Sequence, residues 1–367
     1  MGLSSGPSPS DTNPNSDVQL AYDKFVTLIG QAQQSGEALK IVGGDTKAFY
    51  GRSTEGELLE THAYSGIVEY QPAELVITVR AGTRLVEVEQ TLVEQDQMLA
   101  FEPPQFGDAS TIGGIVAAGL SGPRRPYAGS VRDAVLGVTI MNSNARSLSF
   151  GGQVMKNVAG YDFSRLMTGS MGTLGLLLAV SIRVGPKPQS ERTLVWKLAL
   201  PDAHKRMIEM SRLSLPITGM SCDDSYLRVR LAGHASAVAE AEVKLVPDAT
   251  GSNDYWRELR DQTLPFFESS ESLWRLSVPP AAAPLEIDGD WLWDWGGACR
   301  WLKSNGAGEQ IRSAADGAGG HATLFRGADN DPPFALLGDV NLRLHRRLKK
   351  TFDPDGIFNP GRMYAEI

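Results

Sequence analysis

The first half of the chain alternates between helical and strand spacing of its apolar residues. Residues 18–39 are apolar at helical intervals and are interrupted near Ser35-Gly36, which predicts an amphipathic helix. Short β-branched or fully apolar runs predict strands at residues 40–42, 75–79, 135–141 and 174–184, and helical spacing predicts helices at 85–95 and 112–118. Strand, glycine turn and helix in succession predict an α/β or α+β fold.

The second half has a different composition. In Gly185-Pro186-Lys187-Pro188 the prolines block continuation of the preceding strand and the glycine permits a sharp turn, which predicts a domain boundary. Six of the seven tryptophans lie between residues 256 and 301. Trp291, Trp293 and Trp295 alternate with other residues, which predicts one shared face of a strand. Residues 341–367 carry a basic helical stretch followed by a turn.

Composition and charge exclude several classes of protein. The net charge of −8 argues against nucleic acid as the main partner, because phosphate binding favours a basic face. No apolar run reaches the roughly 18 residues of a transmembrane helix, so we expect no direct membrane insertion. Residues 1–16 lack the pattern of a signal peptide and predict a disordered tail. We therefore expect a cytoplasmic protein.

Closely spaced glycine motifs are the strongest chemical signal. Glycine lets backbone N–H groups approach a ligand, and successive N–H groups form concave nests for phosphate oxygens. The motifs occupy residues 43–47, 111–114, 119–122, 127–133 and 169–175. None is a Walker loop, and no Gly-x-Gly-x-x-Gly follows a strand, so the Rossmann fingerprint is absent. The set predicts a dinucleotide held by a different kind of fold.

Together these motifs resemble the flavin-binding domain of the vanillyl-alcohol oxidase / p-cresol methylhydroxylase (PCMH) family over about residues 20–185. More narrowly, residues 121–133, 151–162 and 352–364 resemble the FAD-binding E subunits of bacterial glycolate oxidases. The resemblance implies an α+β fold, with a PCMH-type FAD-binding domain of two α/β subdomains and a smaller α+β cap domain. The implied division is a tail at 1–16, the FAD domain at 17–185, the cap at 186–340 and a returning C-terminal segment at 341–367.

The resemblance also implies FAD as the cofactor and assigns its contacts. The first loop against the pyrophosphate comprises Gly43, Gly44, Asp45 and Thr46. The second phosphate-facing turn comprises Thr111, Ile112, Gly113 and Gly114. Ser121, Gly122 and Gly129 are expected near the flavin or ribityl chain, and Gly172, Thr173, Leu174 and Gly175 at the adenine end. Taken singly, each glycine also fits close packing in a tight turn.

Two positions depart from the family pattern. Many relatives carry a histidine in the first loop that bonds covalently to the flavin, whereas Asp45 stands at about that place here. We therefore expect non-covalent FAD. The histidine-rich metal motif of related 2-hydroxy acid dehydrogenases is also missing, and His234 and His321 stand alone, so no metal site is predicted.

No catalytic base is predicted, and the candidates for catalysis are weak. Arg124 and Arg125 are candidates for binding a substrate carboxylate, although a solvated pair or a contact to a partner subunit fits them equally. Lys156, Asn157 and Tyr161 form a second polar group expected near the isoalloxazine. Tyr161 is a candidate proton acceptor, and a structural tyrosine is the simpler interpretation.

The implied function is that of an FAD-binding subunit in a glycolate oxidase complex, which converts glycolate to glyoxylate. The implied partners are a homologous FAD-linked catalytic subunit and an iron–sulfur subunit, and any contact with the inner membrane would run through them. Two cysteines are too few for a cluster in this chain. The alternatives are a self-sufficient FAD-dependent D-2-hydroxy acid dehydrogenase and a non-catalytic flavin-binding scaffold.

Overall fold

A computed structural model describes residues 14–152, 163–268, 271–327 and 332–367. The elements up to residue 186 are α1 (Pro14–Ser35), β1 (Leu39–Val42), β2 (Glu57–Glu60), β3 (Ile67–Gln71), β4 (Val76–Arg80), α2 (Leu85–Val93), β5 (Gln97–Met98), α3 (Ile112–Ala118), α4 (Arg125–Ala128), α5 (Val131–Ala134), β6 (Val135–Met141), β7 (Ser147–Gly151), α6 (Phe163–Met167), β8 (Leu176–Arg183) and β9 (Gly185–Pro186).

The remaining elements are β10 (Ser190–Lys197), α7 (Leu200–Ser211), β11 (Ile217–Cys222), β12 (Tyr226–Gly233), α8 (Ala235–Leu245), β13 (Ala249–Gly251), α9 (Asp254–Asp261), β14 (Leu273–Ser277), β15 (Asp290–Asp294), β16 (Cys299–Lys303), α10 (Gly308–Gly317), β17 (His321–Arg326) and α11 (Asp339–Phe352). Helix α1 begins inside the segment predicted to be a disordered tail, and residues 1–13 of that tail lie outside the described residues.

A five-stranded antiparallel sheet of order β3-β4-β8-β6-β7 forms the centre of the first half. Strand β8 is almost entirely buried, because it lies in the middle of the sheet and is covered on both faces. Helices α2 and α3 cover one face through an apolar cluster that includes Leu85, Val88 and Ile115. The opposite face packs against α1 through Phe25, Leu178 and Phe358.

The C-terminal segment packs back onto this first half. Leu39 of β1 and Phe358 form a parallel β-bridge. The buried Lys349 of α11 donates from Nζ to the carbonyl oxygens of Thr173 and Phe358, at 2.8 and 2.7 Å, and pairs with Asp353 at 2.7 Å. Because a buried ammonium needs such partners, α11 is tied to the loop before β8.

The second half is an eight-stranded antiparallel sheet of order β13-β10-β12-β11-β15-β16-β14-β17. Helices α7 and α8 pack on it through one cluster that contains Trp293, and α10 packs through another. Trp291 and Trp293 lie on β15 as predicted. The prediction for Trp295 is wrong, since β15 ends at Asp294 and Trp295 begins a 3₁₀ turn with φ 53°.

Two large antiparallel sheets, each packed against helices, confirm the predicted α+β class. None of the helices in the described part of the chain has the length and apolar content needed to cross a bilayer.

Candidate functional site

Three adjoining cavities form a groove along the first half of the molecule. The central cavity, about 260 Å³, is lined by residues 43–48 together with Thr111 and Gly114. The distal cavity, about 670 Å³, shares Gly43, Gly44 and Thr111 with it and extends to His62. The cap-side cavity, about 270 Å³, shares Ala118 and Met171 with the central one. An elongated ligand fits such a groove better than a compact one.

The loop after β1 supplies the hydrogen-bond donors of the central cavity. Asp45 has φ 54°, a left-handed conformation that aspartate tolerates better than most residues. Among the described residues, the backbone N–H groups of Gly43, Gly44, Asp45 and Thr46 donate to no protein acceptor. Unpaired N–H groups on a loop with one left-handed residue form an anion-binding nest.

Close packing explains why two glycines begin this loop. A Cβ atom on Gly43 would overlap the Oγ1 atom of Thr111, and one on Gly44 would overlap the carbonyl oxygen of Ala109. The loop therefore lies directly on residues 109–111, and a side chain at either position would lift it. Of the two interpretations of these glycines, the structure shows the tight packing.

The turn at residues 111–114 is different, because its N–H groups are already paired. The donors and acceptors are Ile112 N to Thr83 O at 2.9 Å, Gly113 N to Ala81 O at 2.8 Å and Gly114 N to Thr111 Oγ1 at 3.2 Å. Ile112 is fully buried, and Gly113 lies against Ala81. Thr111 and Gly114 line the central cavity, whereas Ile112 and Gly113 hold the turn against β4.

The residues predicted near the flavin brace the wall between the two halves. Ser121 Oγ accepts a hydrogen bond from Val131 N at 3.0 Å. Gly122 donates its N–H to Phe101 and accepts from Trp295 Nε1 at 3.0 Å. Gly129, with φ 86°, lies against Asp133, whose carboxylate caps the start of α5. Ser121 and Gly122 line a small cavity of about 20 Å³ that faces the second half.

The segment predicted at the adenine end lies beneath the C-terminal turn. Gly172 has φ 74° and lies against the amide of Asn359. Thr173 Oγ1 donates to Ser170 O at 2.7 Å, and Leu174 belongs to the main apolar core. Gly175, with φ 148°, lies against Met141 O. The groove is lined instead by Met171, the residue before this segment.

Lys47 links the first loop to the segment before α3. Its Nζ donates to Ser110 Oγ at 2.8 Å and to Gln105 O and Thr46 Oγ1, both at 3.3 Å. Burial lowers the pKa of Lys47 to about 8, although the charge of Asp261 opposes the shift. The ammonium therefore fixes the loop and leaves a positive charge beside the nest.

Asn359 and Arg362 line the central cavity, and sequence reasoning assigned neither a role. Asn359 Oδ1 accepts from Ile41 N at 2.8 Å, and its Nδ2 donates to Met171 O at 2.7 Å. The Arg362 guanidinium donates to backbone carbonyls of the first loop and its continuation, those of Lys47, Ala48, Tyr50 and Arg52. The sequence signal that could have identified these two residues is the Asn-Pro-Gly-Arg turn at 359–362. This turn is far from the first loop along the chain, so the sequence gives no sign that the two meet.

The two adjacent arginines have separate environments. Arg124 is buried and pairs with Glu102 at 3.1 Å and Glu191 at 3.2 Å. Its guanidinium is therefore committed to protein carboxylates. Arg125 lies over the ring of Trp295, 4.4 Å from its centroid, and lines the cap-side cavity. Lys156, Asn157 and Tyr161 lie outside the described residues.

A buried carboxyl group, Asp294, adjoins this wall and was not predicted. It lines the small cavity and accepts from Trp295 N at 2.7 Å. Burial raises the pKa of Asp294 to about 7, although the Trp295 N–H and the charge of Arg230 oppose the shift. No sequence motif marks it, since it ends an ordinary strand.

The histidines are dispersed. His62 lines the distal cavity, His321 begins an edge strand, and His234 precedes α8. Within the described ranges, no group of three His, Cys, Asp or Glu side chains has an arrangement that would hold a metal ion.

Comparison with known proteins places this geometry in a family. A family model described as an FAD binding domain matches residues 22–151, and one described as the C-terminal domain of FAD linked oxidases matches 335–363. The chain is 46% identical to glycolate oxidase subunit GlcE of Escherichia coli over 92% of its own length and 96% of that protein. The chain belongs to the GlcE family of FAD-linked oxidases. The resemblance to the PCMH-type flavoproteins is confirmed, and the chain contains an FAD-binding domain.

More distant members match mainly one part of the chain. Glycolate oxidase subunit GlcD of Bacillus subtilis is 33% identical over 39% of this chain and 30% of that protein. D-lactate dehydrogenase of Archaeoglobus fulgidus is 27% identical over 44% of this chain and 36% of that protein. The solved structure of an alkyldihydroxyacetonephosphate synthase superposes with a TM-score of 0.65 at 16% identity, over 92% of this chain and 75% of that one. The last likeness shows the fold alone. These relatives include oxidoreductases of 2-hydroxy acids, and the chain is an FAD-linked oxidoreductase.

Proposed function

We propose that this chain is the FAD-binding subunit of a complex that oxidises glycolate to glyoxylate. The observation that carries the proposal is the match to GlcE, which covers both halves of this chain and nearly the whole of that protein. The groove supports it independently, because it is elongated and its central cavity is lined by unpaired backbone N–H groups. Those features suit the diphosphate of a dinucleotide.

The residues of the groove divide the binding of FAD among them. The N–H groups of residues 43–46 would hold the diphosphate, with the Lys47 ammonium close by. Asn359 and Arg362 would hold the loop in that shape through their hydrogen bonds to its backbone. They would not contact the phosphate groups with the atoms that make these bonds. Two residues of the second predicted turn, Thr111 and Gly114, line the same cavity. We assign the flavin ring to the cap-side end, where the two halves of the molecule meet.

The reaction divides into hydride and proton transfer. Bound FAD would accept the hydride, and with it two electrons, from carbon 2 of glycolate. The hydroxyl proton leaves as the C=O bond of glyoxylate forms, so the site must also accept one proton. The protein's part is to orient the substrate and to keep water from the reacting carbon.

We further propose non-covalent attachment of FAD. Asp45 offers no side-chain nucleophile comparable to the imidazole found in covalent relatives. Among the described residues lining the three cavities, His62 is the sole histidine, and it lies at the distal end.

The proposed partners are a homologous FAD-linked subunit and an iron–sulfur subunit that carries electrons away. The match to GlcD of Bacillus subtilis supports the first, since it links this chain to a second type of glycolate oxidase subunit. The proposed location is the cytoplasm, with any contact to the inner membrane made by the partners.

The test is purification of the tagged chain after co-expression with candidate partner subunits. We expect the three proteins to co-purify and to reduce an artificial dye when glycolate is added. A complex that assembles and oxidises glycolate equally well without this chain would overturn the proposal.

A further inference from the structure

Two arginines near the cap-side end of the groove form no ion pair within the described residues. Arg125 begins α4, and Arg275 lies on β14 in the other half of the molecule. By contrast, Arg124, Arg228, Arg230 and Arg260 in the neighbouring structure each pair with an acidic side chain. Arg125 is exposed and Arg275 is half-buried, and half-buried arginines usually have such a partner.

Aromatic and hydroxyl groups hold both guanidinium groups in place. Arg125 lies over Trp295. Arg275 donates from Nη2 to the Tyr50 hydroxyl at 3.2 Å and lies 5.6 Å from the ring centroid of Phe325. These contacts orient the guanidinium planes and leave other N–H donors unused.

Arg275 is close enough to affect Arg125. Burial, and next the charge of Arg275, lower the pKa of Arg125, whereas the nearby carboxylate of Asp133 opposes the shift. An anion that binds between two neighbouring positive charges interacts favourably with both. An anionic ligand would therefore stabilise this arrangement.

The cap-side cavity offers the space for such an anion. Arg125 and Tyr50 line this cavity, and Arg275 is linked to it by its hydrogen bond to the Tyr50 hydroxyl. Arg275 itself lines the small cavity of about 20 Å³, together with Trp295 and Asp294. The cap-side cavity continues into the central one through Ala118 and Met171. An acid held by its carboxylate at this end would direct its remaining carbon towards the groove.

We infer that Arg125 and Arg275 together form the carboxylate-binding site for a small 2-hydroxy acid, at the junction of the two halves of the molecule. The inference rests on the proposed function and extends it, because it places substrate binding in this chain. It also replaces Arg124, whose guanidinium is occupied, with an arginine from the second half. Guanidinium groups bind carboxylates through paired N–H donors, which gives the ligand one orientation.

The test is a titration of the FAD-loaded chain with oxalate, an unreactive carboxylate, followed by the flavin difference spectrum and by tryptophan fluorescence. Arg125→Met and Arg275→Met should each weaken oxalate binding by roughly ten- to a hundredfold, as expected for loss of a charged hydrogen bond. Trp295→Phe should remove most of the fluorescence response while the flavin response remains, since Trp295 lies against Arg125.

Arg326→Met is the matched control. Arg326 also lies over an aromatic ring, that of Phe49 at 4.5 Å, but it lines none of the groove cavities. Since Arg326 is half-buried and lines neither the groove cavities nor the small cavity, we expect Arg326→Met to leave oxalate binding within about twofold of wild type, as for loss of a cation–π contact alone. FAD content of all variants, measured after purification, checks that they are folded.

The inference is overturned if the wild-type chain shows no saturable oxalate binding, or if both arginine variants bind as tightly as the control. If the complex oxidises glycolate while the arginine variants bind oxalate normally, the carboxylate site is wrong and the proposed function stands. If oxalate binding depends on both arginines but the complex does not oxidise glycolate, the proposed function fails and the site stands.

Discussion

The Oδ1 atom of Asn359 accepts a hydrogen bond from the backbone N–H of Ile41 at 2.8 Å. The same side chain donates to Met171 O at 2.7 Å and is almost fully buried. Ile41 leads directly into the first glycine loop, and both Ile41 and Met171 line the central cavity. One amide near the C-terminus therefore sets the distance between two segments that are far apart in the chain.

Replacing Asn359 should weaken FAD binding. Asn359→Ala removes both hydrogen bonds and leaves the Ile41 N–H and the Met171 carbonyl unpaired, which costs about 1–3 kcal/mol for each buried group. We expect the dissociation constant for FAD to rise about tenfold or more, measured by quenching of flavin fluorescence. Asn341→Ala, at an exposed position on α11, is the control and should bind like wild type. Equal affinity of the two variants would show that the amide does not position the loop.

A methyl group at Gly44 should displace the first loop. In Gly44→Ala the new Cβ overlaps the carbonyl oxygen of Ala109, which is backbone and cannot move aside alone. We expect loss of FAD from the purified protein, with a smaller effect on the melting temperature of the apoprotein. Gly30→Ala is the control, because no atom lies within 4 Å of its Cβ and it lies inside α1. That variant should be neutral or more stable by about 0.5–1 kcal/mol. Full FAD content in Gly44→Ala would contradict the proposed placement of the diphosphate.

Glu102 should be a major determinant of stability at the junction of the two halves. It accepts from Arg124 Nε at 3.1 Å and from Arg230 Nη2 at 2.8 Å. Burial alone would raise the pKa of Glu102, but the two guanidinium groups outweigh burial and hold the pKa below its usual value. Glu102→Gln leaves the buried Arg230 without its carboxylate and Arg124 with Glu191 alone, so we expect a loss of about 3–5 kcal/mol in the free energy of unfolding.

The control for Glu102 is an exposed ion pair of similar length. Glu87 pairs with Arg84 at 2.7 Å on the surface, and Glu87→Gln should change the free energy of unfolding by less than about 1 kcal/mol. Urea denaturation of both variants measures the difference. Similar values for the two would show that the buried network contributes no more than a surface pair.

Asp294 should make stability fall as the pH rises through neutrality. Its pKa of about 7 in the folded protein is above that of the unfolded chain, so the folded state holds an extra proton between those values. That contribution to stability is complete at low pH and is lost as the pH rises through the folded pKa. From about pH 5 to about pH 8, the stability difference between wild type and Asp294→Asn should therefore shift in favour of the variant. Parallel curves for the two proteins would mean that Asp294 is ionised throughout.

Acid precipitation tests the attachment of FAD. Because Asp45 occupies the place of the usual covalent histidine, we expect the yellow colour to remain in the supernatant. Colour retained in the pellet would show a covalent bond. In that case His62→Ala would identify or exclude the sole histidine found along the described part of the groove.

Local periodicity predicted much of the first half. Residues 112–118 and 135–141 form a helix and a strand with the predicted bounds, because their apolar spacing agrees with their burial. The prediction that Trp295 lies on the strand was wrong because Gly296 and Gly297 follow it and turn the chain out of the strand. Alternation of tryptophans within a short run does not reveal where the hydrogen bonding between strands ends.

The site could be predicted only in part, because its decisive contacts are tertiary. The N–H groups of Ile112 and Gly113 are taken by carbonyls of a preceding strand end, which no local pattern indicates. Arg124 and Arg125 are equivalent in the sequence, yet only the fold brings Glu102 and Glu191 to the first of them. Arg275 lies on an ordinary strand and becomes a candidate only through its position opposite Arg125.

The most direct test of the central claim compares two assembled complexes, one with the wild-type chain and one with Gly44→Ala. Both receive glycolate without oxygen, and the loss of visible flavin absorbance is measured. We predict that the wild-type complex contains one more flavin per copy of this chain than the variant, and that this additional flavin is bleached when glycolate is added. Equal flavin content and equal bleaching, or a flavin of this chain that stays oxidised, would contradict it.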